Sequence, residues 1–252
     1  SDFKPVPRTI DSNPSWSRAG NRIVFASTVD SAGNIQPGLY LTDTTGIAKT
    51  YTGFPGLGLW AEWLPGDSEL IVAGGQLVRF NLNTRQITPL GVFPRFPPFD
   101  ITADGIYVYY EAPKIDSTSP AGIYRFDLNT GDTITVVPGV HPAISEDGER
   151  LALSRSPLYT FNLTDSSLKL IVIGGILPEW LGSDTILFYA GDSLRLADTL
   201  GSSVALASAW PRKLTANKGK SEILFTKVSS DFATRIWKIK SDGSGLIQLT
   251  RE

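Results

Sequence analysis

The chain has no cysteine, no methionine and one histidine, His141. Without cysteine there is no disulfide, no thiolate nucleophile and no thiolate-ligated metal, and one imidazole cannot build a histidine-rich metal centre. A nucleophilic triad would have to rest on His141, and no Gly-x-Ser-x-Gly elbow occurs. Gly-x-Gly-x-x-Gly and the phosphate-loop pattern are missing too. Charge of either sign is sparse, with 23 Lys+Arg against 25 Asp+Glu and a net charge of -2. No basic run leaves a footprint for nucleic acid or anionic lipid, so no nucleic-acid partner is expected. No apolar stretch approaches the roughly 20 residues of a membrane span. The longest, residues 168–177, is broken by Gly174 and Gly175 and stopped by Pro178, so no membrane insertion is expected.

The 252 residues of the chain, 41% hydrophobic, suffice for a sizeable core. The chain begins Ser1-Asp2-Phe3, which points to a cleaved start. Removal of a signal peptide is the expected route, and the missing thiols suit an extracytoplasmic compartment: periplasmic, cell-surface or secreted.

Six short strand-like runs recur, Arg22-Ile-Val-Phe-Ala, Glu69-Leu-Ile-Val-Ala, Gly105-Ile-Tyr-Val-Tyr, Arg150-Leu-Ala-Leu-Ser, Thr185-Ile-Leu-Phe-Tyr and Glu222-Ile-Leu-Phe-Thr. A second alternating run follows each, as in Gly38-Leu-Tyr-Leu-Thr-Asp and Gly122-Ile-Tyr-Arg-Phe-Asp. Asx- and Gly-rich turns and a third strand then close each unit. The stretch before each unit supplies a fourth strand. Four strands every 40–45 residues or so is the β-propeller pattern. The expectation is a single all-β domain over residues 1–252, a six-bladed β-propeller with four antiparallel strands per blade. Its blades fall near 12–53, 54–92, 93–139, 140–175, 176–208 and 209–252. Trp16, Trp63, Ile101, Ile144, Trp180 and Leu214 align and are expected between blades.

The same alignment puts Ser15, Glu62, Asp100, Ala143, Glu179 and Lys213 in one slot on the innermost strands, which line the central channel. Glu62, Asp100, His141, Glu179 and Lys213 are therefore the candidate binding residues at the channel mouth. Converging carboxylates repel, raise one another's pKa or hold a cation. Glu62, Asp100 and Glu179 are the alternative metal set, with a divalent cation as the ligand; otherwise no cofactor is expected. His141 fills a slot held elsewhere by Asn13, Trp60, Pro98 and Leu177, the place of an ordinary inner-strand residue.

The strand count leaves a surplus at the N-terminus. Val6, Pro7, Arg8, Thr9 and Ile10 sit in the register of an outer strand although blade six is already complete, so residues 1–11 are either a clasp on blade six or a strand exchanged with a neighbour. Pro5 and Pro7 suit an edge position.

Pro14-Ser-Trp-Ser-Arg-Ala-Gly-Asn-Arg-Ile-Val-Phe, followed by Gly38-Leu-Tyr-Leu-Thr-Asp, resembles the repeat of TolB-type propellers. Residues 141–154 and 241–250 echo it. The resemblance implies a six-bladed fold in periplasmic or surface proteins that bind other proteins, and the same repeat caps some serine peptidases. A fold hosts many functions. The first expectation is a non-catalytic scaffold whose loops on one propeller face and channel mouth present a surface to another protein or a glycan. The second is a self-assembling structural protein, partnered by copies of itself as a homo-oligomer or fibre. The third is a hydrolase or lyase using the mouth carboxylates as acid and base.

Overall fold

The computed structural model describes residues 9–95, 98–113, 121–155, 157–209, 211, 213–217, 221–228 and 233–250. Among them lie six four-stranded antiparallel sheets and no helix. Each sheet uses one continuous stretch of chain, 11–55, 60–89, 99–137, 140–172, 176–208 and 214–248, so blades follow one another in chain order. The inner strands are Asp11–Trp16, Trp60–Trp63, Phe99–Ile101, Val140–Ile144, Ile176–Trp180 and Leu214–Asn217.

Second strands are buried on both faces because each sheet is sandwiched between neighbours, which explains why runs such as Leu70-Ile-Val-Ala read as continuously apolar. The buried apolar side chains divide into six clusters, one at each seam between adjacent blades. The seam closing the ring joins Trp16, Ile23, Phe25 and Tyr40 of blade one to Leu224, Ile236 and Leu249 of blade six. The turn leaving an inner strand is fixed by hydroxyl–carboxylate contacts. In blade three Thr102 Oγ1 donates to Asp104 Oδ1 at 2.5 Å and holds that carboxyl below the usual range. Gly105 completes the turn at φ 73°, where a side chain would also strike Pro65.

Trp63 and Trp180 are each 1% exposed and Trp16 6%, all at seams as the repeat alignment requires. The two best-packed share a further device. Trp63 Nε1 donates to Ser15 O at 3.1 Å and Trp180 Nε1 to Ala143 O at 3.0 Å, so each indole pins the inner strand of the preceding blade. That same preceding blade sends an arginine over the ring, Arg22 at 4.8 Å from Trp63 and Arg150 at 5.1 Å from Trp180.

Two registers differ from expectation. In blade six Ala216 pairs with Ile223 and Thr215 with Leu224, as Trp16 pairs with Ile23 and Ser15 with Val24. Ala216, not Leu214, therefore holds the tryptophan slot, and Thr215, not Lys213, holds the slot of Glu62. The turn keeps its ordinary length and the surplus residues fall in the connector before the strand, which lets Leu214 join the core against Leu187 and Phe225. In blade three Ile101 pairs with Val108, so the second strand starts at Tyr107 and Ile106 stays in the turn.

Candidate functional site

An inner strand has no sheet partner on its channel side, so its inward N–H groups need other acceptors. The ring carboxylates provide them. Asp100 Oδ1 accepts from Ile101 N at 2.7 Å, and its Oδ2 accepts from Ile144 N of the next blade at 2.8 Å. Glu179 Oε1 likewise accepts from Ala216 N of the next blade at 3.4 Å. Glu62 takes the hydroxyl of Ser15 on Oε2 at 2.6 Å and ion-pairs through Oε1 with Lys213.

Lys213 crosses the channel. It starts on blade six, passes blade one and reaches blade two, where its ammonium also donates to Ala61 O at 3.1 Å and lies 5.7 Å from the Trp60 ring centre. Its side chain is 5% exposed. Lys213 stands two residues before Thr215, so it faces the same way as the ring slot but one step deeper, in the tier of Asn13, Trp60, Pro98, His141 and Leu177. On one side of this crossing is a cup of about 420 Å³ lined by Arg18, Glu62, Asp100, Glu146 and Glu179. On the other is a space of about 20 Å³ bounded by Lys213, the same three ring carboxylates and Pro98, Pro142 and Pro178. Glu62, Asp100 and Glu179 border both, so they form the waist and Lys213 plugs it.

Four of the five candidates, Glu62, Asp100, Glu179 and Lys213, come together. His141 does not line either space. It adopts φ 53° at a bulge before Pro142, as do Asn13 before Pro14 and Leu177 before Pro178. Burial pushes its pKa down from the usual value, which leaves a neutral ring. Among the described residues no group of three or more His, Cys, Asp or Glu is arranged to hold a metal. The carboxylates Glu62, Asp100 and Glu179 face different partners instead.

The alignment overlooked two members of the cup. Glu146 stands on the exposed turn of blade four, and Arg18 on that of blade one. Arg18 spans to the next two blades, donating through Nε to Trp63 O at 3.2 Å and through Nη2 to Ile101 O at 3.1 Å. A repeat alignment marks both as turn residues and gives no sign that the turns lean over the channel.

At the N-terminus, Val6, Pro7 and Arg8 lie outside the described residues. Thr9 O accepts from Thr234 N at 3.3 Å and from Arg235 Nη1 at 3.1 Å, and Ile10 forms a parallel bridge to Thr234. Ile10 also exchanges hydrogen bonds with Thr28, so these two residues tie blade one to blade six of the same chain. Arg235 is 2% exposed. Removing residues 1–10 is expected to lower stability by about 1–3 kcal/mol, because a buried guanidinium loses a carbonyl acceptor. Urea unfolding of the shortened chain measures this, and an unchanged midpoint would dismiss the clasp.

The six four-stranded blades define a six-bladed β-propeller, a fold that TolB structures share. No protein-family model matches the sequence, and no curated protein matches it. Solved structures do match in fold. TolB from Acinetobacter baumannii aligns with a TM-score of 0.64 at 17% identity over 77% of this chain, which spans 53% of that protein. An oligogalacturonate lyase in complex with manganese aligns with a TM-score of 0.64 at 16% identity, covering 98% of this chain and 80% of the lyase. The β-propeller domain of the Trilobed protease from Pyrococcus furiosus, described as having an open velcro topology, aligns at 0.59 with 14% identity, covering 96% of this chain and 84% of the other. At these identities the likeness is one of fold.

Proposed function

We propose that the chain is a non-catalytic, extracytoplasmic protein-binding scaffold whose acidic cup receives a cationic segment of its partner. The observation that carries this reading is the carboxylate-lined cup of about 420 Å³, whose Glu62 is held by the Lys213 ammonium reaching over from blade six. Four carboxylates line the cup against one guanidinium, with Lys213 beneath, so its field is negative. Asp100 and Glu179 are spent as acceptors for backbone N–H groups, and the single imidazole lies elsewhere. Such a site favours recognition over proton transfer. The TolB-type fold and the thiol-free composition support an extracytoplasmic setting.

Calorimetry with a short lysine- and arginine-rich peptide tests the reading. Binding is expected at low salt and should weaken as the ionic strength rises past about 0.15 M, where charges are screened within about 8 Å. Glu146→Gln, at an exposed position, is expected to weaken it about three- to tenfold. Indifference to salt and to Glu146 would reject the acidic cup as the docking point.

A further inference from the structure

A second, chemically different site lies at the other end of the blade-one inner strand. A groove of about 270 Å³ opens there between blades one and two, and Ser12, Asn13, Ser27, Thr28, Leu57 and Trp60 are among its walls. None of its described wall residues is charged; the Lys49 ammonium behind the wall donates to Ser27 Oγ at 3.0 Å and is paired with Asp11 at 3.7 Å. The cup, by contrast, is lined by carboxylates.

Asn13 is the polar feature that needs an explanation. It is 4% exposed and held at φ 53°, a conformation asparagine tolerates better than most residues. Its Nδ2 donates to Leu59 O at 3.0 Å and to Gly58 O at 3.5 Å, which fixes the orientation of the amide. Oδ1 is left buried with no hydrogen-bond partner among the described residues. An acceptor so placed costs stability unless something fills it. The same bulge carries His141 in blade four and Leu177 in blade five at the same φ, so the backbone does not require asparagine. Only Asn13 sends an amide to the loop of the next blade.

Beside this acceptor stands the half-buried indole of Trp60, and at the lip is Leu57, 71% exposed between Gly56 and Gly58. A vacant acceptor, neighbouring hydroxyls, an aromatic ring and no charged wall residue suit a ligand with an apolar C–H face and O–H donors at its rim. We propose that this groove binds a neutral sugar residue, its ring against Trp60 and a hydroxyl donated to Asn13 Oδ1. The volume falls below the roughly 300–1,000 Å³ of drug-sized sites, which limits the occupant to one or two rings.

The test is titration of the intact chain with maltotriose, cellotriose and chitotriose, read by tryptophan fluorescence and calorimetry, with trigalacturonate as the charged control and a blocked alanine tripeptide as the peptide control. At least one neutral trisaccharide is expected to bind with a millimolar Kd. Asn13→Leu, which copies the residue blade five already holds in this slot, should weaken binding about tenfold while the thermal unfolding profile is kept. Trp60→Ala should weaken it by a similar factor. Leu57→Asp supplies a variant at an exposed lip position where folding is not at stake, and it should weaken binding several-fold. The proposal is overturned if no neutral trisaccharide binds, if all three variants bind as the parent does, or if trigalacturonate or the tripeptide binds as tightly as the sugars.

Discussion

Trp180→Ala is expected to destabilise the chain by about 3–5 kcal/mol, the range for emptying a fully buried indole site. The ring packs against Leu158, Ile186 and Phe188, and its N–H holds Ala143 O of the preceding blade. At this chain length the loss corresponds to a fall in melting temperature of about 6–20 °C. Trp180→Phe separates packing from hydrogen bonding, since it keeps most of the ring but leaves the Ala143 carbonyl unfilled. Trp16 is the natural comparison, because its Nε1 has no partner among the described residues. Trp16→Phe should therefore cost about 1 kcal/mol less than Trp180→Phe. Equal costs in calorimetric melts would mean that the Trp180 N–H bond to Ala143 O adds no stability.

The six-fold recurrence of strand, turn and strand made the propeller legible, because each inward or outward residue repeats at a spacing set by the pleat. The tryptophans could be placed at the seams for the same reason. The arginines above them were also open to inspection. Arg22 and Arg150 both begin second strands, and in each case the next blade carries the tryptophan. Glu222 begins the second strand of blade six, next to Trp16, whose indole, unlike those of Trp63 and Trp180, has no carbonyl partner among the described residues. The site was less legible. Glu62, Asp100 and Glu179 followed from the alignment, but Lys213 was assigned to their slot rather than to the deeper tier of His141. The alignment gap in blade six could be closed on either side of the inner strand, and only the pairing of Ala216 with Ile223 decides it. What a lysine reaches across a channel depends on distance between non-adjacent blades, which no local pattern encodes. Turn residues such as Arg18 and Glu146 were invisible for the same reason.

Lys213→Met is expected to be the second most damaging change, at about 3–5 kcal/mol, because it leaves Glu62 as an unpaired charge in a narrow, largely buried waist. The packing loss is modest, since methionine retains most of the aliphatic stem that passes Trp60. Glu62→Gln strands the ammonium less severely, because Ala61 O still accepts from it and the amide oxygen of the new side chain can accept a further hydrogen bond. The order of the two single variants is therefore Lys213→Met worse than Glu62→Gln. Combining them removes both charges at once, and a buried pair replaced by neutral groups of similar volume is often nearly neutral in stability. The double variant should accordingly be more stable than Lys213→Met alone, with a coupling energy of about 1–3 kcal/mol in a double-mutant cycle. Simple additivity in urea unfolding would show that the two charges do not depend on each other, and the plug would then be an incidental contact. In the double variant one cation and one carboxylate are removed together, so the net charge around the cup is unchanged and the cationic peptide should bind about as tightly as to the parent chain.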